Sequence, residues 1–231
     1  MRFHWLAALA GLHAFGALAQ APATPPPPVP ADVSPLYVVT YVELKPTAGK
    51  EGTAVLKSWR DAQRKAEGNL RAEIVHRTTR PGQFVVIAAW QNKAAFDGHA
   101  AAGQAFRDKL QELRNAPADD RFHNALSVGK LDAARGALVV VTHVDVIPPR
   151  REDAVVALKA LGEANRAANG NVRYEIVQQT NRPNHFTVVE TWRSRQAYDA
   201  NSMSAHQREF RDKLAQMTGA LYDERLYESV D

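Results

Sequence analysis

The strongest constraint on this chain is that most of it is written twice. Sliding the 231-residue sequence along itself by 102 positions lays residues 38–99 on 140–201 without a gap, with 24 identities in 62 positions. Average composition would give roughly 4 by chance. Pro46 meets Pro148, Gly68 meets Gly170, Arg71 meets Arg173, Glu73 meets Glu175, Trp90 meets Trp192 and Asp97 meets Asp199. A two-residue insertion in the second copy then raises the offset to 104, and the pentapeptide FRDKL at 106–110 recurs at 210–214. One copy's fold is therefore the other's, and a surface that one leaves uncovered has a ready counterpart in its sister.

Each copy carries the same succession of local signals. Residues 36–44 and 138–147 are β-branched runs ended by proline, which predicts strands. Apolar residues recur at helical spacing at Val55, Trp59, Ala62 and Ala66, and again at Ala157, Leu161, Ala164 and Ala168. Gly68 and Gly170 stop these helices, because glycine accepts the left-handed conformation of a C-terminal cap. Two further strands (70–78 and 84–90 in copy one) flank Arg-Pro-Gly and Arg-Pro-Asn turns. A short helix at 94–99, a longer one bearing Phe106, Leu110 and Leu113, and a last strand at 122–128 (226–230 in copy two) complete the unit. The order is βαββαβ, a ferredoxin-like α+β unit with helices on one sheet face. Consecutive valines at 38–39 and 139–141 make the first strand of each copy apolar on both faces, so the face without helices needs a cover. The sister repeat is that cover, and the two copies are expected to pair within one chain.

The predicted organisation is a leader at 1–19, a proline-rich linker at 20–35, repeat one at 36–128, a linker at 129–136 and repeat two at 137–231. Arg2, a 15-residue apolar stretch and Ala17-Leu18-Ala19 follow the order of a secretory signal, too short for a spanning helix. An exported, periplasmic protein with no stable membrane insertion after cleavage is expected; the alternative is an uncleaved anchor. Seven prolines between Ala21 and Pro35 favour an extended spacer. The chain has no cysteine, which excludes disulfides, thiolate metal sites and thiol nucleophiles. A net charge of +4 with dispersed basic residues argues against a nucleic-acid partner. No H-x-H, H-E-x-x-H, Walker A or G-x-S-x-G pattern is present.

The strand pattern ending at Pro148, Arg173-Tyr174-Glu175, Phe186-x-Val188-x-Glu190-x-Trp192, Tyr198-Asp199-Ala200-Asn201, Ser204-Ala205-His206 and Phe210 together resemble the antibiotic-biosynthesis-monooxygenase domain of the dimeric α+β barrel superfamily. The resemblance spans nearly all of 36–231. It implies two ferredoxin-like repeats closing an intramolecular barrel, with further dimerisation allowed. It also implies oxygenation of a small quinol-like or polycyclic phenolic substrate by O2 with no cofactor and no metal. On that resemblance Glu190, Trp192, Tyr198 and His206 are the candidate catalytic residues. His143, Tyr174, Asn201 and Phe210 are candidate substrate contacts. Copy one has Ala88 where copy two has Glu190, and His99 where copy two has Asn201, so chemistry is expected to centre on copy two.

Bland roles stand beside these: Trp192 and Tyr198 as core, Glu190 as a solvated edge or an arginine partner, His206 as surface. Arg71, Arg173, Glu73 and Glu175 read best as structural ion pairs. Haem degradation, or non-catalytic holding of an apolar small molecule as in a stress protein, are the alternative functions. Export with cleavage after Ala19 is the first prediction. Intact-mass measurement on a periplasmic fraction checks it, and a full-length species confined to the cytoplasm overturns it.

Overall fold

The computed structural model describes residues 34–129 and 136–230. The predicted leader, all but the end of the proline tract, and residues 130–135 of the predicted linker lie outside the described residues. Repeat one comprises β1 (Leu36–Glu43), α1 (Gly49–Lys65), β2 (Asn69–Arg77), β3 (Arg80–Trp90), α2 (Lys93–Gln111) and β4 (Asp119–Ser127). Repeat two comprises β5 (Leu138–Asp145), α3 (Arg151–Arg166), β6 (Asn171–Gln179), β7 (His185–Trp192), α4 (Arg195–Ser202), α5 (Ala205–Ala215) and β8 (Asp223–Ser229). Pro46 and Pro148 each open a single 3-10 turn that hands the first strand to the first helix. Gly68 and Gly170 hold φ of +74° and +83° after those helices. A side chain at either would also lie 2.5 Å from the Cβ of Ala95 or Ala197. Glycine is required twice over at both positions.

All eight strands form one closed antiparallel barrel in the order β1-β3-β2-β8-β5-β7-β6-β4. Two seams join the repeats. At one, Val75, His76 and Arg77 of β2 face Ser229, Glu228 and Tyr227 of β8; at the other, His123 and Asn124 of β4 face Gln179 and Gln178 of β6. The consecutive valines divide as strand alternation dictates. Val38 packs with Ala72, Ala88 and Trp90 on the helix side. Val39 points into the lumen with Val75, Val85, Ile87, Val139, Val141 and Val189. The predicted pairing of the two copies within one chain is the observed architecture.

Two local expectations need correction. The short and long helices predicted for both copies occur only in repeat two, where Met203 and Ser204 separate α4 from α5. Ser204 Oγ accepts from the Gln207 amide (3.4 Å) and caps α5, so a serine in the longer segment of repeat two starts a new helix. Repeat one has three consecutive alanines, Ala100 to Ala102, in this region, and α2 runs through without a break. The predicted Arg-Pro-Gly turn is also displaced, since Arg80 and Pro81 already belong to β3 and Arg80 pairs with Arg77.

One end of the lumen is closed by charges from both repeats. Arg71 grips Glu175 through two bonds, Nη1 to Oε1 at 2.9 Å and Nη2 to Oε2 at 2.5 Å. Arg173 Nη2 donates to Glu73 Oε1 at 2.6 Å. Within each repeat the contacts are longer, 3.6 Å for Arg71–Glu73 and 3.5 Å for Arg173–Glu175. The ion pairs read from the sequence are therefore present, but their short bonds cross between repeats. Burial alone would weaken the Arg71 charge; the facing Glu175 and Glu73 outweigh it and hold its pKa above the ordinary value. Removing one partner leaves a buried charge uncompensated, which costs about 3–5 kcal/mol. Glu175→Gln should lower the urea midpoint by a corresponding amount, while Arg71→Met combined with Glu175→Leu should recover much of the loss. Equal stability of Glu175→Gln and the parent would show that the ring is energetically idle.

Candidate active site

Alternation along β7 turns Phe186, Val188, Glu190 and Trp192 toward the helices of repeat two and places His185, Thr187 and Val189 on the lumen side. Glu190 faces Val140 of β5 on one side and Tyr174 of β6 on the other. It is only 2% exposed. Its Oε2 accepts from the Trp192 indole N–H at 2.8 Å, so its direct partner is an indole and not an arginine. Glu190 is neither a solvated edge nor half of an ion pair. Burial pushes its pKa up to about 8; the Trp192 bond opposes this, the nearby Glu224 charge adds to it, and Arg211 opposes it.

Phenols surround this carboxyl. Tyr198 on α4 donates its hydroxyl to Glu224 of β8, and Arg211 of α5 holds the other oxygen of Glu224 at 3.1 Å. The Arg211 guanidinium also stacks 3.6 Å above the Tyr222 ring. Burial, then the bond to Glu224, keep the Tyr198 phenol protonated well beyond its ordinary range. Burial, then the Glu190 charge, do the same for Tyr174. Of Glu190, Tyr174, Tyr198 and Tyr222, Glu190 is the group that changes charge near neutral pH.

His206, at the start of α5, belongs to a second and more external cluster. Its Nε2 lies 3.1 Å from Asn165 Oδ1, from Asn201 Oδ1 and from Ser204 Oγ. Asn165 of α3 is wholly buried, and its Oδ1 also accepts from Asn201 Nδ2 at 2.7 Å and Gln207 Nε2 at 3.3 Å. Asn201, Ser204 and His206 line a surface groove of about 570 Å³ that runs past Gly170 and Ala197. Among the described residues His206 bonds to Asn165, Asn201 and Ser204 and Glu190 to Trp192, so these two catalytic candidates stand in separate clusters. Asn165 was not among the sequence candidates. Its signal is a polar residue on the buried stripe formed by Leu158, Leu161 and Gly162, with Gln63 at the matching point of copy one. Glu224 was also missed, although Asp120 repeats its acidity at the offset of 104.

The remaining candidates separate. Tyr174, Trp192, Tyr198 and Asn201 share the helix side with Glu190. Phe210 is in the core with Phe186, Leu214 and Met217, edge-on to Tyr222 at 6.5 Å. His143 lies on the lumen side near one barrel mouth, 3.1 Å from His185, so the sheet stands between it and Glu190. Alternation decides this: 143 and 190 have opposite parity relative to the paired strands β5 and β7. No group of three or more His, Cys, Asp or Glu among the described residues is placed to hold a metal ion.

The raised Glu190 pKa makes a stability prediction with a definite sign. The folded state holds the Glu190 proton more tightly than the unfolded chain, so this contribution is full below about pH 4.5 and is lost as pH rises through about 8. Denaturant midpoints of the parent should therefore decline between those limits. Glu190→Gln should flatten that decline, and an unchanged pH slope would place the Glu190 pKa near its ordinary value.

The profile of the family described as Antibiotic biosynthesis monooxygenase matches residues 35–108 and again 137–213. The chain is 26% identical over 86 residues to "Putative monooxygenase YcnE" of Bacillus subtilis (strain 168), an alignment spanning 37% of this chain and 90% of that protein. Among solved structures, a "Putative monooxygenase" of Fusobacterium nucleatum aligns with TM-score 0.76 and 13% identity, covering 86% of this chain and 94% of its own. An "anthrone oxidase-like protein" aligns with TM-score 0.66 and 13% identity, covering 87% and 92%. At those identities the structural likeness is one of fold, and a single chain in each case spans both repeats. With the profile matched once in each half of a closed two-repeat barrel, the chain belongs to the antibiotic biosynthesis monooxygenase family.

Proposed function

We propose that the protein is a monooxygenase that oxidises a quinol or polycyclic phenol with O2 on the helix side of repeat two, the substrate itself supplying the electrons. The observation that carries this reading is Glu190, a buried carboxyl on the helix side whose bonded partner among the described residues is the Trp192 indole, and whose pKa burial pushes up to about 8. A general base works best when its pKa lies near the operating pH. Ionised Glu190 takes the proton of the phenol, and the resulting anion is electron-rich enough to reduce O2. A carbon–oxygen bond forms as a peroxide. The C–H bond at that carbon then breaks, its electron pair making the carbonyl as the O–O bond breaks, and its proton leaves with the terminal oxygen as hydroxide. Glu190 returns the phenolic proton to that hydroxide, giving water.

The Trp192 indole orients Glu190, while the Tyr174 phenol stays protonated as a donor toward developing oxygen charge and the Tyr198 phenol is held by Glu224. The groove beside Asn201, Ser204 and His206 is the approach for the substrate, next to the α4–α5 break that only repeat two possesses. His206 positions Asn165 and Asn201 along that approach. A relative in fold bears the name anthrone oxidase-like, which agrees with a polycyclic phenol as substrate class.

Oxygen uptake with a panel of quinols and anthrones, without added flavin or metal, tests the reading. Loss of the base in Glu190→Gln should lower kcat by about 10²–10⁴. The rate of the parent should rise through an apparent pKa near 8, a limb the variant should lack. Asp97→Asn, an exposed change on repeat one, should keep the parent rate. Full activity in Glu190→Gln would remove the base from this position, and absence of uptake with every substrate would leave the family's fold without this chemistry.

A further inference from the structure

Three positions on the helix side differ together between the repeats. Phe96 of repeat one stands for Tyr198, Asp120 for Glu224 and Ala88 for Glu190. In repeat one Asp120 accepts from Thr40 Oγ1 at 2.6 Å and from Arg107. Phe96 has no hydroxyl to offer it and packs edge-on against Trp90, with ring centroids 5.8 Å apart. The Trp90 indole N–H has no hydrogen-bond partner among the described residues. Repeat two keeps the arginine, since Arg211 donates to one oxygen of Glu224 at 3.1 Å. The side chain of Glu224 is one methylene longer, and its other oxygen takes the Tyr198 hydroxyl.

These contacts continue to the buried carboxyl. The Tyr198 ring lies edge-on to Trp192, with centroids 6.2 Å and planes 69° apart, and Trp192 donates to Glu190. Arg211, Glu224, Tyr198, Trp192 and Glu190 thus form one line drawn from α5, β8, α4 and β7. The sheet register brings its two carboxyls to the same face. Glu224 faces Thr142 of β5 and Glu190 faces Val140 of the same strand, so they flank β5 two residues out of step. Arg211 is braced from its other side by the Tyr222 ring, 3.6 Å from the guanidinium.

We propose that Glu224 is a positioning residue of the Glu190 centre: holding Tyr198 with one oxygen and Arg211 with the other, it fixes α4 and α5 over the Glu190–Trp192 pair and sets one negative and one positive charge beside the buried carboxyl. The like charge resists ionisation of Glu190 and the guanidinium favours it, so the two act on its proton in opposite senses. The other titratable groups facing Glu190 are Tyr174 of β6, Tyr198 of α4 and Tyr222 before β8, which burial keeps protonated. From β5 the facing residue is Val140, and Arg166 of α3 is bonded to the Tyr174 carbonyl and to Ser127. The role in turnover rests on the reading of Glu190 as the base, whereas the charge balance is measurable without turnover.

A pH titration of the tryptophan emission of the full chain reads the Glu190 proton through its bond to Trp192, with Glu190→Gln identifying the component that belongs to it. The pH slope of the denaturant midpoint reads the same proton independently. The parent midpoint is expected at about 8. Glu224→Gln removes the like charge and should lower it by about one unit, whereas Arg211→Met removes the guanidinium and should raise it by about as much. Both variants break the same Arg211–Glu224 bond, so a bond that only braced the fold would move the midpoint the same way in both. Glu224→Asp keeps the charge and should stay nearer the parent than Glu224→Gln. Asp120→Asn, the matching break in repeat one, should leave the midpoint in place. Arg211→Met carries the test should Glu224→Gln fail to fold. In oxygen uptake the pH limb of kcat should move with the emission midpoint; opposite emission shifts without uptake from any quinol would support the charge balance and remove the base chemistry. Shifts in one direction, no shift in either variant, or an equal shift in Asp120→Asn would overturn the proposal.

Discussion

Barrel closure is the interaction on which the rest depends. Val39, Val141, Ile87 and Val189 lie on the sheet face opposite the helices, and only the other repeat's sheet can take that face out of water. The seams β2–β8 and β4–β6 are consequences of this burial. The ring of Arg71, Glu73, Arg173 and Glu175 adds register, because its short bonds form only when the two halves meet at one offset. A slip of one residue along either seam would break these cross-repeat bonds and leave each repeat with only its longer internal Arg–Glu contact. The hydrophobic faces supply association, and the charges supply uniqueness.

Once closure is carried by the lumen side, the helix side is free to diverge. A homodimer of such units would keep two identical helix-side pockets, because one sequence writes both. Duplication within one chain removes that tie. The helix-side differences include Tyr174 and Glu190 against Ala72 and Ala88, Tyr198 against Phe96, and the α4–α5 break against continuous α2. On the lumen side the charged ring is kept, with Arg71 and Arg173, Glu73 and Glu175, and Val39 and Val141 the same in both copies, while Tyr41 stands against His143 and Val85 against Thr187.

Those two classes of position also separate what the sequence reveals from what it hides. The repeat, the βαββαβ order, the glycine caps and the double-faced first strand are legible because each is a local or periodic signal. The helix-side grouping of Tyr174, Glu190 and Trp192 follows from counting along β6 and β7. Other features depend on which strands become neighbours. That Glu190 has an indole partner, that Arg71 prefers Glu175 to Glu73, and that His143 is shut off on the lumen side require the register of β5, β6 and β7. Asn165 escaped notice for a different reason: a single polar residue on an apolar stripe has no meaning until Asn201, His206 and Gln207 arrive from α4 and α5 to share its one carbonyl oxygen.

The comparison of Glu190 with Ala88 shows what the protein gives up for a titratable group in its interior. A buried carboxyl with one indole bond is a poor contributor to stability, since its ionised form has lost water and gained a single donor. Repeat one, with alanine at that place, carries no such penalty. Among the described residues it is left with an unpaired indole N–H, and a hollow lies between its helices. Neither arrangement is what core packing alone would select: an apolar side chain filling the space in both repeats would satisfy the sheet and the helices at once. Each repeat therefore retains a local departure from simple core packing, a buried titratable carboxyl in one and an unfilled aromatic cavity in the other. Both lie on the one side of the sheet that barrel closure leaves free.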